Sequence, residues 1–192
     1  MSEEVDLRLE RFPQKRLGVT LRVLTTDDVD AMFQLHRSPG VYEGLLTIPR
    51  KPDRAWSQEC TEKLCESMTK GEGSLLLAEH DGEVVGSVGL GIKWKHGHGG
   101  LGYLLKESVR GKGIASCMLQ MVLDHGFDDI GLNRIWADTF MDNEASRRLL
   151  IRNGFVHEGV KRQAYHKEDR YLDVDMWAML VTDPRPWKEQ QA

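Results

Sequence analysis

The spacing of hydrophobic residues near the start of the chain predicts a strand followed by a helix. Residues 19–24 alternate in polarity and are rich in β-branched side chains, as in a half-buried strand. Thr25 or Thr26, with the two aspartates that follow, is typical of a helix start. The helix carries an apolar stripe at helical spacing, made of Val29, Met32, Phe33 and His36. Prolines at positions 39, 49 and 52 then interrupt regular structure.

The rest of the chain alternates between helical and strand spacing. Asp81–Gly82 predicts a tight hairpin turn, and Gly154 ends a helix. The expected elements are a helix over 54–70, strands over 74–80, 83–94 and 100–105, a helix over 113–129, a strand over 133–140, a helix over 143–153, and strands over 155–159 and 171–181. The order β-α-α-β-β-β-α-β-α-β-β indicates an α/β fold with a mixed, mostly antiparallel central sheet flanked by helices. We expect a single domain over 1–192, with its core at about 19–182 and short polar tails at both ends.

Composition narrows the class of protein. The 192 residues are 40% hydrophobic and 29% charged, with a net charge of −4, which is ordinary for a globular protein and gives no general attraction for nucleic acid. No run approaches the ~18 apolar residues of a membrane span, and the acidic segment 1–6 is unlike a secretory signal. Three cysteines without a framework of spacings favour free thiols in a reducing compartment. We therefore expect a cytoplasmic protein with no nucleic-acid or membrane partner.

The segment 105–115 combines chemistry that suits a phosphate group. It predicts a strand end, a turn containing Gly111 and Gly113, and the first residues of a helix. Glycines let the backbone turn tightly and approach a ligand closely. A helix N-terminus presents unpaired N–H groups and the positive end of the helix dipole. Arg110 and Lys112 add positive charge to the same turn, so the segment is a candidate seat for a phosphate or pyrophosphate.

Other nucleotide and metal motifs fit poorly. Gly111–Lys112 is followed by Gly113, where a P-loop needs Ser or Thr. The glycines at 97, 99 and 102 match a dinucleotide motif in spacing, but they precede a strand, whereas that motif lies between a strand and a helix. His96 and His98 alone are too few ligands for a closed zinc site. We expect no metal.

Three segments resemble one known family in order and spacing. Residues 110–115, Arg-x-x-Gly-x-Ala, are similar to the signature of the GNAT superfamily of acyl-CoA N-acyltransferases. Residues 143–155 resemble the next helix and strand of that superfamily. Residues 158–162, followed by 171–173, resemble the C-terminal hairpin of its RimJ/RimL-like branch. The resemblance covers roughly 19–182 and implies the GNAT fold.

The resemblance also implies an acetyl-CoA site. The pyrophosphate would lie on the backbone N–H groups of residues 111–115, and the pantetheine arm would run along the strand that ends at Leu104 and Leu105, where two strands of the sheet diverge. Asn143 would contact the pantetheine from the other side, a role compatible with capping its helix. The cofactor-binding residues expected are Leu104, Leu105, Arg110, Gly111, Lys112, Gly113, Ile114, Ala115 and Asn143.

The catalytic groups of the superfamily are incomplete in this chain. Many members carry a carboxylate on the strand before the glycine turn, where this chain has Gly100 and Leu101. Many also carry a tyrosine that protonates the CoA sulfur, at the position of Leu150 here. RimJ/RimL-like sequences often have a serine three residues after the helix Asn, which corresponds to Ser146. Ser146 is thus the candidate catalytic residue, and a helix-packing role for it stays open.

The base and the acceptor remain open from the sequence. The candidate bases are His36, Tyr42, Glu43, Asp138, Tyr165 and His166, the last two expected in a loop between the final strands; a water relay is an equal alternative. We expect an acetyl-CoA-dependent N-acetyltransferase that acts on a primary amine of a small molecule such as an amino acid, polyamine or drug-like amine. The alternatives are acetylation of a protein N-terminus and a CoA-binding module with little catalysis. The oligomeric state, a homodimer included, is not determined by the sequence.

Overall fold

One sheet of eight strands forms the centre of the molecule. A computed structural model describes residues 6–189. The strands are β1 (Gln14–Arg16), β2 (Val19–Val23), β3 (Gly73–His80), β4 (Glu83–Lys93), β5 (His98–Leu105), β6 (Arg134–Phe140), β7 (Val156–Lys167) and β8 (Arg170–Leu180). Their order in the sheet is β1-β2-β3-β4-β5-β6-β8-β7. Neighbouring strands are antiparallel except for β5 and β6, which are parallel. The mixed, mostly antiparallel sheet expected from the sequence is therefore confirmed.

Helices cover both faces of the sheet. They are α1 (Val29–His36), α2 (Val41–Gly44), α3 (Arg54–Thr69), α4 (Ile114–Asp124), α5 (Glu144–Arg152) and α6 (Pro186–Glu189). A π-helical turn, His125–Asp129, continues α4. Helices α1 and α3 pack on each other and on β3 and β4, whereas α4 contacts β2, β4 and α5. Alternation along each strand therefore sends successive side chains to an α1/α3 face and an α4/α5 face.

The parallel pair β5–β6 is short and then diverges. Its paired positions are His98–Gly100 with Arg134–Trp136. Strand β5 continues to Leu105, and β6 continues to Phe140, without further pairing between them. The two strands are joined by α4 and its π turn, the long crossover that a parallel pair needs. A gap therefore opens in the middle of the sheet beyond Gly100.

The start of α1 is fixed by a buried carboxylate. Asp28 is 8% exposed and caps the turn through Thr25, whose backbone N–H donates to Asp28 Oδ2 at 2.8 Å. Arg22 on β2 donates to both oxygens of the same carboxylate, at 2.8 and 2.7 Å. Burial alone would raise the pKa of Asp28, but the hydrogen bonds from Arg22 and Thr25 outweigh it and lower the pKa. The helix start is thereby bonded to the sheet.

The core reaches further along the chain than 19–182. Leu7 and Trp187 are each 5% exposed, and the Trp187 indole donates to Asp124 at the end of α4. Apolar side chains outside the expected core therefore pack into it, because each gains about 1.5–3 kcal/mol by leaving water. The expected tails at 1–5 and 190–192 lie outside the described residues. None of the helices described for residues 6–189 has the length and apolar character that crossing a membrane requires.

The expected end of the strand at 155–159 was wrong. Strand β7 runs to Lys167, so Tyr165 and His166 lie in a strand, opposite Leu172 and Tyr171 of β8, and not in a loop. Strand β7 is the edge of the sheet, and most of its side chains are exposed. An exposed edge strand lacks the apolar alternation by which a strand is recognised in a sequence. The turn of the hairpin is instead at Glu168–Asp169.

Candidate functional site

The free edge of β5 borders the gap between β5 and β6. The Lys106 N–H donates to Val85 O of β4 at 2.8 Å, so the amides of even-numbered residues point toward β4. Because backbone groups alternate along a strand, the amides of Tyr103 and Leu105 point the other way, into the gap. Of the two β5 residues expected to bind the cofactor, Leu105 has its amide facing the gap, whereas Leu104 has its amide facing β4. The gap side of β5 therefore offers main-chain groups to an extended ligand.

The glycine turn leads directly from this edge into α4. Gly111 and Gly113 have φ angles of +79° and +81°, which favour glycine, and a Cβ at either position would meet nothing within 4 Å. Gly113 is the N-cap residue of α4, and no described side chain caps the helix there. Lys112 is exposed between the two glycines, whereas Ile114 is buried in the core. The first amides of α4 are thus available to an anion, beside a lysine.

Arg110 links the turn to the segment that follows α1. Its guanidinium donates to Leu105 O at 3.3 Å and to Pro39 O at 3.4 Å. A Cβ placed on Gly40 would lie 3.1 Å from Arg110 Nη1. The side chain therefore ties the end of β5 to the start of α2. Its positive charge stays at the mouth of the gap.

On the α4/α5 face, a pair of hydroxyl groups spans the gap. The Tyr103 phenol of β5 shares a short hydrogen bond with Ser146 Oγ in the first turn of α5. Burial raises the pKa of Tyr103 to about 12, and the bond to Ser146 opposes this only in part. Asn143 caps α5 by accepting from the Ser146 N–H at 3.1 Å. Ser146 and Asn143 are thus brought together, as expected, and Tyr103 joins them.

Helix α2 covers the gap from the other side. One end lies against Arg110 through Gly40, and at the other end a Cβ on Gly44 would be 3.3 Å from Asn143 Nδ2. Lys167, the last residue of β7, donates to the main-chain oxygens of Tyr42 and Leu45. The hydroxyl of Tyr42 donates to Glu168 at 2.7 Å. We call this set of contacts from the β7–β8 hairpin to α2, made by Lys167 and Glu168, the hairpin clip.

Polar side chains gather around the carboxylate of Asp138, next to the gap on the α1/α3 face, and we call them the carboxylate cluster. Asp138 of β6 accepts from Lys161 Nζ at 2.9 Å and from the Tyr165 hydroxyl at 3.1 Å. Lys161 Nζ also lies 5.6 Å from the centre of the Trp136 ring. Burial and the nearby Asp138 raise the pKa of Tyr165. Asp138 comes two residues after Trp136, the last β6 residue paired with β5, so the cluster lies where the strands diverge.

A cavity of about 370 Å³ lies between α1, α3 and the sheet. Its floor contains two pairs of glycines that face each other across β4 and β5, Gly89 with Gly102 and Gly91 with Gly100. Its other lining is largely apolar and includes Met32, Leu45, Ile48, Trp56, Leu64 and Leu104. We call this space the glycine-floored cavity. Strand β5 borders both the cavity and the gap, so a molecule in the cavity would lie next to one in the gap.

His36 is the buried titratable group of that cavity. It is 4% exposed, its Nδ1 lies 3.1 Å from Ser57 Oγ, and its ring packs edge-on against Trp56. Burial lowers the pKa of His36 to about 4. The imidazole is therefore neutral near pH 7. It contributes a polar but uncharged group to the wall.

Two of the candidate bases lie away from the carboxylate cluster and from the glycine-floored cavity. Glu43 lies on the exposed side of α2, and His166 is exposed beside Tyr171, with ring centres 5.0 Å apart. His96 and His98 stack on each other at 5.6 Å, and His98 Nδ1 accepts from the Trp136 indole. Across residues 6–189, no three metal-ligating side chains are grouped as a metal site would need.

Comparison with protein families identifies the architecture. The model of the acetyltransferase (GNAT) domain matches residues 18–156, well over half of the chain. The chain belongs to the GNAT acetyltransferases. The match includes segments 110–115 and 143–155, so the resemblance to this superfamily is confirmed, and so is an acyltransferase as the class of enzyme.

Relatives of this GNAT acetyltransferase are found among bacterial proteins. An N-acetyltransferase of Bacillus licheniformis named p20 is 30% identical over 166 residues, which are 84% of this chain and 92% of the relative. The ribosomal-protein-serine acetyltransferase of Escherichia coli is 29% identical over 135 residues, 68% of this chain and 75% of that protein. The L-amino acid N-acetyltransferase AaaT of Escherichia coli is 23% identical over 159 residues, 81% and 94% of the two chains.

A solved structure supports the same fold. RimL, a ribosomal L7/L12 alpha-N-protein acetyltransferase in complex with coenzyme A, superimposes on this GNAT acetyltransferase with a TM-score of 0.82. The two chains are 24% identical, and the match covers 88% of this chain and 97% of RimL. This likeness confirms the fold expected from the sequence.

Three residues of the site were missed by sequence reasoning. Tyr103, Lys161 and Lys167 make the hydroxyl pair, the carboxylate cluster and the hairpin clip, respectively. Their partners are 43, 23 and 122 residues away along the chain, so local spacing gives no signal for them. Only Tyr103 had a local indication, since a tyrosine three residues after Gly100 on a strand beside a glycine turn is a candidate for a gap-facing position.

Proposed function

We propose that this GNAT acetyltransferase uses acetyl-CoA to acetylate the primary amine of a small molecule. The observation that carries the proposal is the divergence of β5 from β6 beyond Gly100, which leads directly into the uncapped start of α4. One arm of an extended donor fits the gap, and its phosphates fit the turn. The glycine-floored cavity beside the gap has room for a small acceptor, since ligand sites measure about 300–1,000 Å³.

The residues present fit the phosphate end of acetyl-CoA. Gly111 and Gly113 hold the turn open, and the amides of Ile114 and Ala115 at the start of α4 lack a side-chain acceptor. Lys112 places a positive charge on the same turn. These groups would hold the pyrophosphate, and the amides of Tyr103 and Leu105 would bond the pantetheine arm as a neighbouring strand does. Asn143 borders the gap opposite them.

The chemistry needs a proton to leave the amine and one to reach the sulfur. Acetyl-CoA supplies the acetyl thioester; the nitrogen–carbon bond forms, and the carbon–sulfur bond breaks. Asp138 lies on the α1/α3 face, where its carboxylate would hold the acceptor ammonium and take up its proton. The Tyr103–Ser146 pair lies on the opposite face, where its hydroxyls would donate to the departing thiolate. The two groups thus flank the gap from opposite sides.

A protein N-terminus is the second candidate acceptor. It is supported by the similarity to the ribosomal-protein-serine acetyltransferase, which spans 68% of this chain. The small-molecule acceptor is supported by the size of the glycine-floored cavity and by the similarity to an L-amino acid N-acetyltransferase. A CoA-binding module with little catalysis is the third reading, and turnover of any amine above hydrolysis would exclude it.

Reversing the charge of Lys112 tests the phosphate seat. Lys112→Glu is expected to raise the Kd for acetyl-CoA roughly tenfold, because it replaces an attractive charge near a helix N-terminus with a repulsive one, each worth about 0.3–1 kcal/mol. Isothermal titration calorimetry of the purified protein measures this. Lys95 is also exposed but lies outside the turn, so Lys95→Glu is the matched control and should leave the Kd unchanged. Equal Kd values for both variants and the parent protein would contradict the seat.

A further inference from the structure

The glycine-floored cavity contains two glycines that sterics do not require. A Cβ on Gly89 would come within 2.4 Å of Ser74 O, and one on Gly100 within 2.8 Å of the Trp136 ring, so these two positions accept only glycine. A Cβ on Gly91 or Gly102 would meet nothing within 4 Å, and neither φ lies in the left-handed region. Glycine inside a strand weakens it and often marks a place where a ligand approaches. The empty space above Gly91 and Gly102 is therefore a candidate place for a ligand.

The lining of the cavity determines the chemistry of that occupant. Above the floor lie Met32, Ile48, Trp56 and Leu104. Among the lining residues in the described part of the chain, Glu72 is the only carboxylate; it is exposed and accepts from Ser67. His36 is neutral near pH 7. Because Glu72 is exposed, a second ammonium buried in the cavity, as in a polyamine, would find no buried carboxylate among these lining residues, at a high cost.

We propose that the acceptor is a primary amine that carries a bulky apolar group one or two carbons away, and that this group fills the glycine-floored cavity. The inference rests on the proposed acetyl transfer. The amine lies at the gap, close to β5 and the carboxylate cluster. The apolar group extends over Gly102 and Gly91 toward Trp56. A cavity of about 150 Å³ already accommodates benzene, so about 370 Å³ holds an aromatic or branched aliphatic group. Gly91, Gly102 and Trp56 are then specificity-determining residues.

The first test compares amines of different character. We expect the kcat/KM for 2-phenylethylamine to exceed that for ethanolamine and that for 1,4-diaminobutane by at least tenfold, because an unfilled apolar pocket forfeits a factor of about 10–200. Comparing the rate for a peptide with N-terminal phenylalanine with the rate for phenylalanine amide distinguishes a protein N-terminus from a small molecule as the acceptor. A higher rate with the amide assigns a small-molecule acceptor, and a higher rate with the peptide assigns a protein N-terminus. Equal or greater activity on ethanolamine or 1,4-diaminobutane would overturn the inference.

The second test fills the cavity. Gly102→Val and Gly91→Val place methyl groups in the empty space, and each should lower the ratio of kcat/KM for 2-phenylethylamine to that for ethanolamine by about ten- to a hundredfold. Lys93→Val adds the same side chain to the same face of β4, two residues beyond the cavity lining, and should leave the ratio unchanged. An unchanged ratio in both glycine variants would refute the assignment of the cavity.

Calorimetry separates failure of this inference from failure of acetyl transfer. The Kd for acetyl-CoA, measured on the parent protein and each variant, shows whether the fold and the donor site are intact. Acetyl-CoA that binds and is turned over without preference for apolar amines would reject the inference alone. Acetyl-CoA that fails to bind the parent protein would reject the proposed function itself. Binding of 2-phenylethylamine to the free protein, weakened in Gly102→Val, supports the cavity independently of turnover.

Discussion

The hydroxyl groups of Tyr103 and Ser146 share a hydrogen bond, although 43 residues separate them in the chain. Because burial raises the pKa of Tyr103 to about 12, the phenol keeps its proton throughout the physiological range. A protonated phenol bonded to a second hydroxyl can donate to a developing thiolate, and the two groups then act together. Leu150 stands at the position where many superfamily members carry a tyrosine on the helix, and in the proposed mechanism the phenol of Tyr103 on β5 takes that role.

Removing either hydroxyl tests this pair. Tyr103→Phe and Ser146→Ala should each lower kcat roughly a hundredfold, the lower end of the range for general acid catalysis, with little change in the Kd for acetyl-CoA. The double variant should lose no more than either single variant, since the two groups act as a unit. Steady-state kinetics that follow release of CoA thiol measure this, with Tyr171→Phe, an exposed tyrosine, as the control. Losses that multiply in the double variant would show separate roles.

Helices and strands with strong local signals were predicted closely. The hairpin at Asp81–Gly82 has φ angles of +52° and +80°, the backbone that an Asp-Gly turn favours. The start of α1 after Thr25 was likewise visible, because capping residues act within four positions. The short elements β1 and α2 were missed, and β7 was predicted only over 155–159. Strands β1 and β7 are the two edges of the sheet and have no buried side chains, so they lack the apolar alternation that marks a strand. Helix α2 is held by Arg110 and Lys167, which are distant in the chain. The same reason hides the carboxylate cluster, whose members lie on β6 and β7.

The cap of α1 provides a test at the level of a secondary-structure element. Asp28→Asn should lower the free energy of unfolding by about 2 kcal/mol, because it removes the charged acceptor of two hydrogen bonds from Arg22, which keeps only its ion pair with Glu79. Asp27→Asn, the exposed neighbour, should change it by less than about 0.5 kcal/mol. Urea denaturation at pH 7 measures both. Similar losses for the two variants would contradict a specific role for the buried carboxylate.

The lowered pKa of Asp28 also determines how the stabilising effect of this interaction changes with pH. The folded state holds the ionised carboxylate more firmly than the unfolded chain does. Its contribution is present above the unfolded pKa and is lost as the pH falls through the lower, folded value. The difference in stability between the parent protein and Asp28→Asn should therefore shrink below pH 4.

For the molecule as a whole, one sheet from β1 to β8 and a core that reaches Leu7 and Trp187 predict a single domain with one cooperative unfolding transition. The overall architecture followed from the sequence because the element order and the motif spacing act together. The position of the gap relative to the cavity did not, since it arises from packing of α1, α2 and α3 on the sheet.

Because His36 is buried, the free energy of unfolding changes with pH in the mildly acidic range. The unfolded chain takes up a proton near pH 6.5, whereas the folded protein does so only near pH 4. Because the unfolded state binds more protons between these values, stability falls as the pH falls from 6.5 to 4, by about 3 kcal/mol from this residue. His36→Gln should flatten that part of the urea-denaturation profile, and His96→Gln, at an exposed position, should not. Identical profiles for parent and His36→Gln would contradict a neutral buried imidazole.

The hairpin clip holds α2 by its main chain. Lys167 donates to the carbonyl oxygens of Tyr42 and Leu45, and every residue type offers such an oxygen. Tyr42 adds its hydroxyl bond to Glu168, and no other side chain of α2 takes part in the clip as defined above. Substitutions at positions of α2 other than Tyr42 therefore leave the acceptors of Lys167 in place, so the sequence of this segment can vary while its main chain stays bonded to the hairpin.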